Sequence, residues 1–523
     1  MSENNSAQRK EVRWGVFIPL FIFILAAVLI GIFNNALLLE YSKSFFNWSL
    51  QSFGWLYQWI SMIALVVVSV LAFSKYGDIR IGGKNAKAKF SFAKWFGMAL
   101  SSGIATGLIT YGVNEPIIYF GNVYGELNTL GVTPGEHQTA IWSLARVFYN
   151  WSFVPYAMYT LAGVAAAYMY YNRKERLSVS STLRPLFGRH MDKKGAASVI
   201  DTLASLAIIL GLSSGLGTGL ALVITGLKMV YDVDVGIPTW IILGAATTFV
   251  FTFSSYIGLD KGFKILADIK SKLLYVLLIL LFVCGPTIYI LRTSTAGMAV
   301  WLDNFFLWGL DPIDIGGEAL TQWWTLFDWA VWIAYAPLMG LFLAMISYGR
   351  TIRQFIIINW ILPSIFALVW FGVWGGTGLN LQETGAVDLV GVIKENGAVA
   401  GLWTFLQNLP LHLGVVIIPV LLVLSLFAYA VAANSMTTTI AGMCMKNVPI
   451  GEEAPAYQRI VWGVLIGSIS IIMGAFGGGA QGIDGIKYLA AAGGFSVLFV
   501  FALQVVSIIK MFFVDKIVED VEP

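Results

Sequence analysis

The sequence predicts an all-α polytopic membrane protein of 12 transmembrane helices, ten of them in two inverted five-helix repeats, with interrupted helices at the site. Three observations predict it. Apolar runs long enough to cross a bilayer, about 20 residues each, recur along nearly the whole 523-residue chain, which is 58% hydrophobic and 12% charged with a mean hydropathy of +0.77. Lys and Arg gather in every second loop. Two runs, five spans apart, carry Gly, Pro and polar residues in their interiors.

In chain order the spans fall near 14–34, 53–74, 92–121, 139–170, 197–230, 237–258, 270–291, 323–347, 354–377, 412–443, 459–477 and 485–513. Basic residues precede span 1 (Arg9, Lys10, Arg13). They follow span 2 (Lys75, Arg80, Lys84, Lys87), span 4 (Arg173, Lys174, Arg176, Lys193, Lys194), span 6 (Lys261, Lys264), span 8 (Arg350, Arg353) and span 10 (Lys446, Arg459). The alternate loops are acidic or neutral, as at Glu126, Glu136, Asp232, Asp234, Glu383 and Asp388. That alternation places both termini in the cytoplasm. Two of the outer loops are long, 292–322 and 378–411, and each reads as holding an interfacial amphipathic helix.

The spans group as an N-terminal tail with two peripheral spans (1–91), a first five-helix repeat (92–291), an outer loop (292–322), a second repeat (323–513) and a short acidic tail (514–523). The polar start, Met1 to Arg13, lacks a small-residue cleavage site and does not read as a cleaved signal. Cys284 and Cys444 form no framework or CxxC pair, and His137, His190 and His412 have no metal-ligand spacing. No HExxH, Walker loop or Ser-His-Asp order is present, so no enzyme, metal, cofactor or nucleic-acid partner is expected.

The interrupted runs locate the expected site. Span 3 carries Ser101-Ser-Gly103 through Gly107, then Asn114-Glu115-Pro116; span 8 carries Pro337 and Gly340. Paired interruptions in equivalent spans point to a transporter site near the bilayer midplane, whereas glycine packing between helices is the plainer reading. The glycine ladder Gly211, Gly215, Gly219 of span 5 suits that plainer reading.

Span 8 opens with Trp323, Trp324, Asp328, Trp329, Val331, Trp332, Tyr335 and Met339. Asp328, Trp332, Tyr335 and Met339 follow helical spacing along one face, with Trp324, Trp329 and Val331 on neighbouring faces. A quaternary ammonium cannot donate hydrogen bonds, so aromatic faces suit it, at roughly 0.5–2 kcal/mol per ring. The competing reading is an aromatic belt at the membrane surface.

These residues resemble the betaine/carnitine/choline transporter family over residues 10–515 or so. Trp329-Ala-Val-Trp332-Ile-Ala-Tyr335 is similar to the family's tryptophan signature, and Met345-Ile-Ser347-Tyr-Gly349-Arg350-Thr-Ile-Arg353 to its cytoplasmic motif. Trp151-Ser-Phe-Val-Pro155-Tyr156-Ala-Met-Tyr159 resembles the segment that completes the aromatic box. Val331 and Tyr156 depart from the tryptophans found in many members, and Asp328 stands at a usually aromatic position. Asp328 and Trp324 are placed at the outer vestibule, Asp328 attracting cations or bonding a neighbouring loop.

Within the family the chain resembles the sodium-independent carnitine/γ-butyrobetaine antiporter branch. Lys270 stands where that branch has an arginine in place of a sodium ion, and Met339 resembles its methionine at another sodium position. Val431 and Ala432 align with hydroxyl residues of sodium-coupled members and offer no oxygen ligand. The plainer readings are a cytoplasmic anchor for Lys270 and core packing for Met339.

The resemblance implies alternating-access transport of small trimethylammonium solutes such as carnitine, γ-butyrobetaine or glycine betaine, in exchange for a counter-substrate. It also implies a homotrimer in the inner membrane of a prokaryote. Sodium-coupled betaine or choline uptake for osmoprotection is the alternative, and a channel or sensor is the reading from another class. The substrate-binding residues expected are Trp332, Tyr335, Trp329, Trp151, Tyr159, Tyr156 and Met339, with Lys270 as cation surrogate.

Overall fold

Where water is absent a helix satisfies its own backbone, so long apolar runs fold as helices. The computed structural model describes residues 11–103, 106–192, 195–446, 448–449, 452–476 and 480–516. Among them no strand forms; extended pairing is limited to isolated bridges, Val12 with Met445 and Arg80 with Thr351. Arg9, Lys10, Lys193, Lys194 and most of the acidic tail lie outside the described residues, as do Ile104 and Ala105 of the span 3 motif.

Nine helices among the described residues are long and apolar enough to cross a membrane, or eleven if two bent pairs each count as one span. Span 1 is Trp14–Phe33, span 2 Asn35–Phe73, span 5 Ala196–Tyr231, span 6 Ile237–Ile257 and span 7 Lys264–Cys284. Span 8 is Phe327–Met345, span 9 Leu362–Glu383, span 10 Gly414–Met443, span 11 Ala456–Phe476 and span 12 Ala480–Ile509. Span 3 is two helices, 3a (Phe92–Gly103) and 3b (Thr106–Phe120), bent by 61°. Span 4 is also two, 4a (His137–Trp151) and 4b (Phe153–Ala167), and falls outside the count of eleven.

Three expectations are corrected. Span 8 is not broken: the helix runs through Pro337 to Met345, and only its approach, Glu318–Leu326, is wound as a π-helix. It packs closely on span 4b there, since a Cβ on Gly340 would lie 2.5 Å from the Ala162 carbonyl carbon. The second break lies instead in span 4, at Ser152 (φ −113°, ψ −115°), just before Pro155, which has no N–H to give. Trp360 Nε1 donates to the Phe153 carbonyl, 2.8 Å away, at the start of 4b. Span 2 starts at Asn35, not near 53, because Asn34 caps it through Leu37 N, and Leu38, Ser42, Phe46 and Leu50 bury one helical stripe.

The long loops behave differently from each other. Thr287–Asp303 leaves span 7 at 107°, as a helix lying across the end of a span would. In the loop 378–411 the helix Ala398–Gln407 is not interfacial; Trp403, Phe405 and Leu406 are buried, and the helix packs on spans 3b, 5 and 10. The motif Ser347–Arg353 ties two loops together. Arg350 stacks over Trp95 at 4.8 Å, and Arg353 bonds the Ala72 carbonyl and Asp78.

Helix partners form a reciprocal set. Span 4b packs on 8 and 3b on 9; span 5 packs on 12 and 10 on 7; span 8 packs on 12 and 3a on 7. Span 8 packs on 5 and 3a on 10; span 11 packs on 5 and 6 on 10, while 6 also packs on 11. Exchanging spans 3–7 for 8–12 in order turns each of these pairs into another pair of the set or into itself.

Candidate functional site

Span 4 packs on span 8, and span 3b faces the two of them. Between them lies a cavity of about 200 Å³, walled by Trp151, Tyr156 and Tyr159 of span 4, Phe327, Asp328, Val331, Trp332 and Tyr335 of span 8, and Tyr111 of span 3b. Trp332 is the centre of the aromatic wall. Its ring centroid lies 4.5 Å from Tyr159, 5.1 Å from Tyr156 and 6.4 Å from Trp151. Trp151 meets it at 79° and is backed by Phe371 at 5.5 Å. Faces set at angles around one space offer several negative ring faces to a single cation.

Of the expected substrate residues the fold therefore brings together Trp332, Tyr335, Trp151, Tyr156 and Tyr159. Trp329 and Met339 stand apart from the wall. Trp329 is fully buried against Tyr149, with ring centroids 5.6 Å apart, and Met339 is buried one turn beyond Tyr335. Val331 presents an aliphatic surface on the cavity wall.

A second, larger cavity of about 770 Å³ adjoins the first. Tyr111, Phe327 and Asp328 line both, so they form the neck. Trp324 lines the larger one with Trp323, Tyr488, Lys43 and Glu318, while Asp328 borders both. Lys43 Nζ lies 5.7 Å from the Trp323 ring and 5.8 Å from that of Tyr488.

Sequence reasoning missed Tyr111, Ser214, Thr218 and Gly211 of the wall. Tyr111 carried a signal, since it stands four residues before Glu115 on the same helix face. The glycine ladder of span 5 was legible only as packing, yet a Cβ on Gly211 would lie 2.5 Å from Tyr335 Cε2 and 2.7 Å from its hydroxyl. Gly211 thus makes the room in which Tyr335 sits. Gly211→Ala is expected to fold, because the atoms it crowds are the movable tip of a tyrosine. It should weaken binding of a quaternary ammonium roughly 2- to 30-fold, the worth of one ring. Isothermal titration of the purified variant measures this, and native affinity would show that Tyr335 does not contact the solute.

Lys270 is fully buried. Its ammonium donates to the Ser101 carbonyl at 2.7 Å and to the Ala428 carbonyl of span 10 at 3.4 Å. Ser101 lies in the last turn of 3a, where a helix end leaves its carbonyls unbonded and carries partial negative charge. Ser101 Oγ also donates to the Ala267 carbonyl at 3.0 Å and pairs with Ser271 Oγ at 2.6 Å, which locks 3a to span 7. A cation is thereby held at the junction of the broken span 3 with spans 7 and 10. The anchor reading, which needs a headgroup in water, does not describe it. Val431 and Ala432, three and four residues beyond Ala428, are buried and present no side-chain oxygen.

Comparisons with known proteins agree on kind. A model described as BCCT, betaine/carnitine/choline family transporter, matches residues 15–517. An ectoine/hydroxyectoine transporter of Virgibacillus pantothenticus is 28% identical over 478 residues, covering 91% of each chain. A probable glycine betaine transporter of Desulfitobacterium hafniense is 30% identical over 505 residues, covering 95% of this chain and 94% of its own. An osmo-independent choline transporter of Acinetobacter baylyi is 30% identical over 461 residues, covering 86% of each. Among solved structures, a Na+-coupled sialic acid symporter in a substrate-bound outward-open state aligns with a TM-score of 0.48 and 13% identity, covering 88% of this chain and 86% of that one.

Proposed function

This chain belongs to the betaine/carnitine/choline family of transporters, and from that premise we propose that it carries small trimethylammonium solutes, of the carnitine, γ-butyrobetaine and glycine betaine type, by sodium-independent exchange. The observation that carries the reading is the aromatic cavity around Trp332, with Trp151, Tyr156, Tyr159 and Tyr335 on its walls. Several ring faces bordering one small cavity suit a methylated cation, which has no hydrogen-bond donor to offer.

The independence from sodium rests on Lys270. Its ammonium occupies a carbonyl in the last turn of 3a and one within span 10, where a metal cation would otherwise be favoured. The reciprocal packing of spans 3–7 and 8–12 supports two five-helix repeats, residues 92–291 and 323–513, rocking about the cavity. An exchanger needs no coupling ion if the loaded carrier reorients quickly and the empty one slowly. Relatives named for glycine betaine and for choline support the trimethylammonium class. The proposed setting is the inner membrane of a prokaryote, as a homotrimer with both termini cytoplasmic. The vestibule then faces outward, since the loops on its side are the acidic ones.

Counterflow in proteoliposomes tests the exchange. Preloading with unlabelled glycine betaine or carnitine is expected to accelerate uptake of the labelled solute at least several-fold. Equal uptake by empty and loaded vesicles would point to a channel or to a sensor that does not transport. Uptake into empty vesicles driven by a sodium gradient would give sodium-coupled osmoprotective uptake instead.

A further inference from the structure

Glu115 is an acidic side chain of span 3b with no exposed surface, and it borders the larger cavity. A carboxyl group is costly to bury unless it is hydrogen-bonded. Among the described residues each hydrogen bond it makes is accepted from a donor. Tyr119 Oη donates to Oε1 at 2.8 Å, Asn150 Nδ2 donates to Oε1 at 2.9 Å, and Trp151 Nε1 donates to Oε2 at 2.6 Å. A relay then leads outward. Thr325 Oγ1 donates to Asn150 Oδ1 at 2.9 Å, and Arg146 Nη2 donates to Thr325 Oγ1 at 2.8 Å. Arg146 is buried as well, with its guanidinium 5.0 Å from the Trp308 ring.

One member of this set reaches the cavity, and it is Trp151. An indole attracts a cation through its face and repels it at its edge, so the rotation of the ring decides whether that wall binds. Glu115 holds the ring by its only donor. A hydrogen bond to a charged acceptor is worth more than one to a neutral acceptor, and more in a low-dielectric bundle.

We propose that Glu115 is the positioning residue of the cage: its bond to Trp151 sets the angle of that ring, and through the ring the affinity for the quaternary ammonium, without touching the solute. This rests on the reading of the aromatic cavity as the solute site. It also makes the vestibule side of the bundle part of the binding device, because Asn150, Thr325 and Arg146 hold Glu115 in turn.

The test is a double-mutant cycle on the full-length protein labelled with 5-fluorotryptophan, titrated with tetramethylammonium and followed by 19F NMR. The Trp151 resonance is assigned by its loss in Trp151→Phe. Glu115→Gln is expected to raise the Kd about tenfold in the native background, with the Trp151 resonance broadened or split. In the Trp151→Phe background, which lacks the indole N–H, the same substitution should change the Kd less than twofold. Equal effects in both backgrounds, or a sharp and unshifted Trp151 resonance in Glu115→Gln, would overturn the proposal. Should Glu115→Gln not fold, Glu115→Asp, which keeps the charge but withdraws the acceptor by one methylene, takes its place in the cycle with the same expectations. Unchanged binding in both Trp151→Phe and Trp332→Ala would mean that the cavity is not the solute site, a failure of the functional reading and not of this one.

Discussion

Transport by the native protein is expected to run at the same rate when potassium replaces sodium, and Lys270→Met to slow it at least tenfold. Methionine roughly keeps the length of the chain and removes the charge. The Ser101 and Ala428 carbonyls then lose a charged donor at the end of 3a. Charged hydrogen bonds are worth about 1.5–3 kcal/mol, roughly a 10- to 100-fold effect if the loaded state depends on them. Lys270→Glu is the sharper variant, since it adds a carboxylate able to recruit a cation to carbonyls already facing the junction. Sodium should stimulate this variant while leaving the native protein indifferent. Rescue should be partial, because Val431 and Ala432 supply no oxygen nearby. Initial rates of labelled-solute exchange in liposomes, in matched sodium and potassium buffers, decide the matter. A sodium requirement in the native protein would make Lys270 a structural cation only and would end the exchanger reading.

Trp332→Ala is expected to raise the solute Kd tenfold or more with the protein still folded in the membrane. Its ring is the one that Tyr156, Tyr159 and Trp151 all approach, so its loss removes a cation-binding face and loosens three others. Trp329→Phe serves as the contrast. That side chain is buried against Tyr149, away from the cavity, so its replacement should change thermal stability before it changes affinity. Equal loss of affinity in the two variants would mean that both act through packing. Unchanged affinity in Trp332→Ala would place the solute elsewhere.

Much of the fold was legible because a membrane helix is written locally. Length and apolarity suffice to mark it, so the observed spans begin and end near the expected positions wherever no loop sequence is itself helical. Span 2 is the exception, since Glu40 and Lys43 interrupt the apolarity but not the helix. The pairing of Trp332 with Tyr335 on one face was legible for the same reason, as a matter of helical spacing.

Which face of span 8 meets the cavity was not legible. Helical spacing sets Trp332 and Trp329 on neighbouring faces, but both faces are aromatic and both side chains are buried, so the sequence does not say which of the two meets the cavity. Packing on span 4b makes that choice, through the close approach of Gly340 to Ala162 and Gly163. Pro337 and Pro155 show the same division: either could have broken its helix, and the neighbours decided that only span 4 would break. Lys270 could be read from sequence as an anchor or as a buried cation. Its depth depends on carbonyls from residues more than 150 positions away in the chain, and those are assembled only when spans 3, 7 and 10 pack together. Apolarity and helical period are properties of one segment and can be read there; the orientation of a uniformly apolar helix, and the partner of a buried charge, belong to several segments at once and exist only in the folded bundle.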